Sequence, residues 1–285
     1  MSSRTLLTAL LSSVLASCAS GALAYTADRD VARMVSFGGA CKNCEFSGRK
    51  LTNASFMGAN YSGATLIGAD LRGAEIMGSN FGSADFSRAD MRGAEVIGSN
   101  FGSARFTGAQ MDQIEAMGAN FGRADLSGVR LMSAELTGAN LSSANLSRAR
   151  LVETELTGAN MSNVRAGAAD FTKADLSGAN MAGGRFDGAS FRDASLEGAR
   201  LSGAMFAKAD FRGADLDGAD IRGVDLSTAR GLRADQVEDA CGDAATRLPK
   251  GMTVGSCGSR VRVMRFSVPR PPAPPRPPAP ARTSN

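Results

Sequence analysis

Few of the residue types that do chemistry occur in this 285-residue sequence. There is no His, which removes Ser-His-Asp triads, imidazole-ligated zinc and imidazole acid–base catalysis together. No Trp and only 2 Tyr leave little from which to build a stacking platform for sugars or single-stranded nucleic acid. Five Cys could supply thiolates. Cys41-Lys42-Asn43-Cys44 has the Cys-x-x-Cys spacing of a redox centre, and with Cys241 and Cys257 it makes up the count for a four-thiolate zinc site. Carboxylates recur with order: Glu75, Glu95, Glu115, Glu135 and Glu155 are spaced by twenty. A row of this kind points to cation or partner binding, although a Ca²⁺ cage needs ligands from several directions.

The element that positions these groups is a repeat. From Cys44 to Thr228 the chain divides into 37 gapless pentapeptides: RKLTN, ASFMG, ANYSG, ATLIG, ADLRG and onward to VDLST. The third residue is large and apolar throughout, from Phe46 and Leu51 to Leu226, except at Ala116 and Ala166. The first is mostly Ala, the second mostly Asp, Asn, Glu or Arg, and the fifth often Gly. A period of five matches neither a helix nor a long strand, so the chain must turn at short regular intervals. The near copies AEIMGSNFGSADFSRADMRG (74–93) and AEVIGSNFGSARFTGAQMDQ (94–113) show a twenty-residue super-period, which is four pieces per coil. Coils stacked at about 4.8 Å would form a rod about 45 Å long, each coil stable only through its neighbours. Ala116 and Ala166 are expected to leave voids unless Met117, Met132 or Phe171 shift to fill them.

These pieces resemble the pentapeptide-repeat family, whose pattern is Ala-[Asp/Asn]-Leu-x-x, and the resemblance runs unbroken over residues 44–228. It implies an all-β fold, a right-handed quadrilateral β-helix whose interior holds the third-position side chains and first-position Ala. CKNCEFSG at the start and ACGDAATRLPKGM after the end resemble exported members. The resemblance also allows end-to-end homodimerisation through a C-terminal segment.

Stacking at twenty residues turns the second positions into columns. One holds Ser55, the five Glu, Asp175, Ser195 and Asp215; the next holds Asn60 through Asn180, then Arg200 and Asp220. The Glu column reads either as duplication with solvent screening or as an acidic binding stripe. The Asn column reads as an amide ladder. The remaining columns mix signs, with Arg130, Arg150, Arg165 and Arg185 making the middle locally basic.

A rod separates the two Cys pairs by about nine coils, which argues against a shared zinc site and for local bridges Cys41–Cys44 and Cys241–Cys257. Residues 25–43 are assigned to an N-terminal cap, with Val31 to Phe37 over the first coil, and 229–258 to a C-terminal cap. In the latter, Ala234 to Ala240 reads as a short helix that turns Leu232, Val237 and Cys241 toward the last coil, and Gly242 stops it.

The ends read differently. Residues 1–24 have the form of a signal peptide: Arg4, an apolar run from Leu6 to Ala16, and Ala22-Leu23-Ala24 before Tyr25. Leu15-Ala16-Ser17-Cys18 alternatively resembles a lipobox, with Cys18 lipidated and the chain held at a membrane. Residues 259–285 are rich in Pro and Arg and lack the composition of a packed core. The repeat carries a net charge of −4, so the overall +4 belongs to the ends.

The expectation is a non-enzymatic, exported scaffold or protein-binding rod of a bacterial cell envelope. It is periplasmic or secreted, or a membrane-anchored lipoprotein if Cys18 is modified. No cofactor, metal or nucleic acid is expected, and the partner is a protein or envelope component. The alternatives are a DNA-mimic topoisomerase protector, which wants a more acidic rod, and a cation-binding acidic stripe.

Overall fold

The computed structural model describes residues 39–257. The expected signal peptide with Cys18, most of the N-terminal cap and the Pro/Arg-rich segment lie outside the described residues.

The coil is built from turns that are nearly continuous. In most pieces the first-position amide donates to the third-position carbonyl of the preceding piece, as from Ala54 to Leu51 at 3.0 Å, closing a β-turn over the fourth and fifth positions. The fifth residue sits in the left-handed region at every turn from Asn43 to Gly223, with φ between 51° and 70°. This is the type II pattern, and it explains the frequency of Gly there. Sixteen of these positions hold other residues, among them Arg88, Lys173 and Glu153. The frame around each turn therefore outweighs a local preference of about 1–2 kcal/mol.

Between the turns, second-position residues form single parallel bridges to the residue twenty further on, from Ala40↔Asn60 to Asp210↔Arg230. Within a piece, the third-position amide donates to the next coil and the second-position amide to the coil before, as in Leu66 to Asp85 at 2.7 Å and Thr65 to Cys44 at 2.8 Å. The fifth-position amide also reaches the next coil, as in Gly68 to Ser87 at 2.9 Å. The ladder starts one piece earlier than the pattern beginning at Cys44, because Gly39 and Ala40 already pair with Asn60.

The interior is closed. Third-position side chains from Leu51 to Leu226 are fully or almost fully buried, and first-position Ala fills the space beside them. Two large side chains at first positions lie in the core beside the small third positions. Ile114 and Val164, two residues before Ala116 and Ala166, are completely buried and take the place of the missing large side chains. Met117 and Met132 are only half-buried and stay at the surface. The converse exchange occurs at Gly184: a Cβ there would meet the Phe186 ring at 2.6 Å. Aromatic stacks form an unforeseen feature of the core. Phe81, Phe101 and Phe121 stack from coil to coil at 5.8 and 5.2 Å, as do Phe171, Phe191 and Phe211 at 5.1 and 5.2 Å.

Polar residues at first positions are absorbed by the backbone. Ser79 is buried, and its hydroxyl donates to the Phe56 carbonyl at 2.5 Å and accepts from the Ala59 amide at 2.9 Å. It thus bridges a turn of the coil before it. Ser99 repeats the arrangement one coil on.

Beyond Arg230 the register lengthens. Asp220 bridges Cys241 and Asp225 bridges Arg247, so the chain continues winding with two insertions. Helix α1 (Ala234–Val237) is one turn long and buries Val237. It is shorter than the expected 234–240 because residues from Cys241 are drawn into strand β1 (Cys241–Gly242), which pairs in parallel with β2 (Gly255–Ser256). Cys241 is bonded to Cys257 and Cys41 to Cys44.

Candidate functional site

In a filled rod, any site must lie on the columns. The second-position side chain does structural work first. The fourth-position amide is the donor that the coil-to-coil ladder leaves over, and where the second residue is Asp or Asn its side chain commonly captures it. Asn80 Oδ1 accepts from Gly82 at 3.1 Å, and Asp85 Oδ1 accepts from Ser87 at 2.9 Å. This local turn capture is what short carboxylate and amide side chains do well.

The Asn column forms the expected ladder. Asn80 donates to Asn60 at 3.0 Å, Asn100 to Asn80 at 2.8 Å, Asn120 to Asn100 at 2.7 Å and Asn140 to Asn120 at 2.8 Å, and it continues to Asn180. Each inner amide therefore spends its oxygen twice, on the coil-to-coil neighbour and on its own turn. Little remains for a ligand.

Asp70, Asp90, Asp210 and Asp220 each pair with the Arg two residues on; Arg72 to Asp70 and Arg92 to Asp90 are 2.7 Å. The Arg72 guanidinium, helped by its amide and opposed by partial burial, lowers the Asp70 carboxyl to about 2. Asp90 is lowered likewise, chiefly by Arg92. These carboxylates are fixed by their own turns.

The Glu column differs from both. Glu75, Glu95, Glu115, Glu135 and Glu155 bridge one another in register, so like charges lie directly opposite. Among the described residues none of them has an ion pair. Met77, Ile97 and Met117 follow two residues later, and the next position is Gly in every coil from Gly58 to Gly218. A Cβ on Gly58, Gly78, Gly98 or Gly118 would meet nothing within 4 Å, so this edge is open. Met57 and Met77 are 53% and 39% exposed, two of the three exposed large apolar side chains among the described residues.

Elsewhere the surface offers only shallow relief. A groove of about 560 Å³ runs along one edge, lined by Ser127, Gly128, Ser147, Arg148, Gly167, Ala168 and Asp187. It lies between the columns of Arg165 and Arg185 and of Arg130 and Arg150. Ser47 and Lys50 have serine-x-x-lysine spacing, a pattern easily passed over inside a repeat, but both are exposed on the first coil. A nucleophilic pair of this type needs a Lys held in a desolvated pocket, and Lys50 is exposed. Asp220, Cys241 and Cys257 converge within 4.8 Å. Both sulfurs are spent in a disulfide, so the cluster lacks the thiolates a soft metal requires.

Copies of a sequence model described as pentapeptide repeats match from residue 41 to residue 230 with short gaps, covering most of the chain. The chain belongs to the pentapeptide-repeat family. Among solved structures it is similar to HetL, a pentapeptide-repeat protein involved in heterocyst differentiation regulation from the cyanobacterium Nostoc sp. strain PCC 7120. The two are 29% identical, with a TM-score of 0.65 over 74% of this chain and 91% of that one. QnrB1, a plasmid-mediated fluoroquinolone resistance protein, is 21% identical over 73% of this chain and 91% of its own, with a TM-score of 0.31. No curated protein sequence matches. The repeat architecture read from the pentapeptides is thus shown.

Proposed function

We propose that this pentapeptide-repeat protein is a non-enzymatic binding rod, exported to the periplasm or secreted, that presents side-chain columns to a protein or envelope partner. The supporting observation is the filled core: from Leu51 to Leu226 the interior is occupied, and the columns outside it stay in register for the length of the rod. Such a frame offers a partner a rigid, periodic surface and offers a substrate no enclosed place to react. In this reading the coil is right-handed and four-sided, with α1 and the Cys241–Cys257 loop capping its last turn. Export rests on the leader pattern of residues 1–24 and agrees with two disulfides, which persist in oxidising compartments.

The test is the intact mass of the protein recovered from fractionated bacteria expressing the full chain. A periplasmic species starting at Tyr25 and lacking four hydrogens supports export with both disulfides. A species starting at a diacylated or triacylated Cys18 replaces the soluble rod with a membrane-tethered one. A cytoplasmic, fully reduced, full-length species overturns the export reading. Binding is tested separately by photo-crosslinking from Ala182 in the Asn-face turns and from Gly118 on the Glu edge. Crosslinks to one partner from a single edge support recognition by a column.

A further inference from the structure

The groove between the Arg165 and Arg150 columns changes character part-way along its length. In its first coils the turn amide beside the column is already taken. Asp125 Oδ1 accepts from the Ser127 amide at 3.1 Å, and Asn145 Oδ1 accepts from the Ser147 amide at 3.2 Å. One coil on, the second position holds Arg165, a side chain with donors and no acceptor. Among the described residues nothing accepts from the Gly167 amide, and the Asp187 amide that follows Arg185 is left over in the same way.

The charge changes at the same place. Arg165 bridges Arg185 in register and Arg130 bridges Arg150, so like charges lie directly opposite on both sides of the groove and repel. Arg148 lines the groove itself. Arg130 reaches Asp112 at 2.8 Å and Arg185 reaches Asp187 at 3.7 Å. Among the described residues, Arg148, Arg150 and Arg165 have no ion pair. The nearby carboxylates are engaged elsewhere. Asp187 also accepts from the Ala207 amide at 3.2 Å, and Asp170 accepts from the amide and hydroxyl of Thr172 at 3.1 and 2.6 Å.

Small residues leave the donors open to approach. A Cβ on Gly128 would meet nothing within 4 Å, and one on Gly167 only the Asp187 carbonyl at 3.8 Å. The lining runs from Ser127 to Asp187, three coil steps, or about 14 Å at about 4.8 Å per coil. An oxyanion seated at the Arg165 turn would take the place that the Asp125 carboxylate has in its own turn. Three guanidinium groups without ion pairs and a backbone amide exceed what one carboxylate can satisfy. A doubly charged tetrahedral anion, with oxygens in several directions, matches them, and Arg presents its donors to such oxygens in a planar fork.

We propose that this groove is a phosphate-binding site, in which the Gly167 amide and the guanidinium groups of Arg148 and Arg165 hold one phosphate group, with Arg150 and Arg185 adding to the positive field around it. The group is free phosphate or the phosphate of a lipid headgroup, which present the same oxygens. The inference goes beyond the binding-rod reading and stands whether or not the chain is exported; its failure leaves the crosslinking test of that reading untouched.

The test is titration of the full chain with inorganic phosphate, at ionic strength held constant with sodium chloride, followed by NMR of the backbone amides. Saturable shifts centred on Gly167 and Asp187 are expected. A charge-assisted hydrogen bond is worth about tenfold in affinity, so Arg148→Gln and Arg165→Gln should each weaken binding by about that factor. Both residues are exposed, and unchanged circular dichroism confirms that the variants are folded. Arg165→Asp is the sharper change, because it supplies the acceptor that this turn lacks. The Gly167 amide should then become protected from hydrogen exchange while phosphate binding is lost. Arg123→Asp, the same charge change on another edge, should leave binding intact. Amides of Gly167 and Asp187 that move no more than in sodium chloride alone overturn the proposal. Binding that survives Arg165→Asp, or that is lost equally in Arg123→Asp, overturns it as well. Co-sedimentation with phosphatidylglycerol vesicles that inorganic phosphate reverses and Arg165→Asp abolishes supports the site with a lipid headgroup as its source. Saturation by inorganic phosphate without co-sedimentation supports it with free phosphate.

Discussion

Ile114→Ala tests how the core tolerates Ala116. Ile114 is completely buried, and the neighbouring third position that normally carries a large side chain holds only Ala. The substitution leaves that part of the coil with two Ala side by side. Loss of three methylene equivalents at about 0.8 kcal/mol each gives about 2.4 kcal/mol of transfer free energy. The rigid walls of the coils above and below limit collapse, so a cavity contribution brings the total to about 3–5 kcal/mol. Adding Ala116→Leu restores the Ala-x-Leu order used in most other pieces and is expected to recover most of the loss, a strongly non-additive pair. The assay is urea denaturation followed by far-ultraviolet circular dichroism for the single and double variants. Hydrogen exchange at the Glu135 amide, which donates to the Ile114 carbonyl, reports local opening. A single variant costing less than about 1 kcal/mol, well under the range for buried truncations, refutes the compensation argument. A double variant less stable than the single one refutes it equally.

Three further outcomes are expected. Asn120→Ala removes two ladder bonds and the capture of the Gly122 amide, and should cost about 1–3 kcal/mol, whereas the same change at exposed Ser133 should be nearly silent in thermal melts. Reduction of Cys241–Cys257, which closes a loop of 16 residues, should lower the melting temperature by an amount reflecting about 3 kcal/mol. The β signal should persist at room temperature, because the coil-to-coil ladder does not depend on the bridges; its complete loss would contradict that. Lastly, the folded-state pKa values of Asp70, Asp90, Asp210 and Asp220 are depressed, first by their Arg partners. Their contribution to stability is therefore fully present above the ordinary carboxylate value of about 3.9 and is lost as pH falls through the folded values. Thermal stability should decline below about pH 4, and the Asp70 carboxyl, followed by NMR, should titrate near 2. An Asp70 midpoint at the ordinary value would remove the Arg72 explanation.

The periodicity alone carried most of the architecture. A large apolar residue every fifth position, interrupted twice in 37 pieces, leaves only a coil that turns every five residues, and the twenty-residue near copies set its register. The columns and the Asn ladder follow from that register, because stacking converts sequence spacing into vertical alignment. Other features required the folded chain. That Ile114 and Val164 fill the core for Ala116 and Ala166 depends on first and third positions sharing one interior, which sequence spacing does not weight by volume. The left-handed fifth position at Arg88, Lys173 and Glu153 opposes local preference and is imposed by the hydrogen bonds of adjacent coils. The truncation of α1 at Val237 arises because Cys241 is claimed by the ladder. The Glu edge is the clearest case. Its carboxylates were visible as a period of twenty, but that they lie unpaired beside exposed Met and an open row of Gly is decided by three-dimensional packing alone.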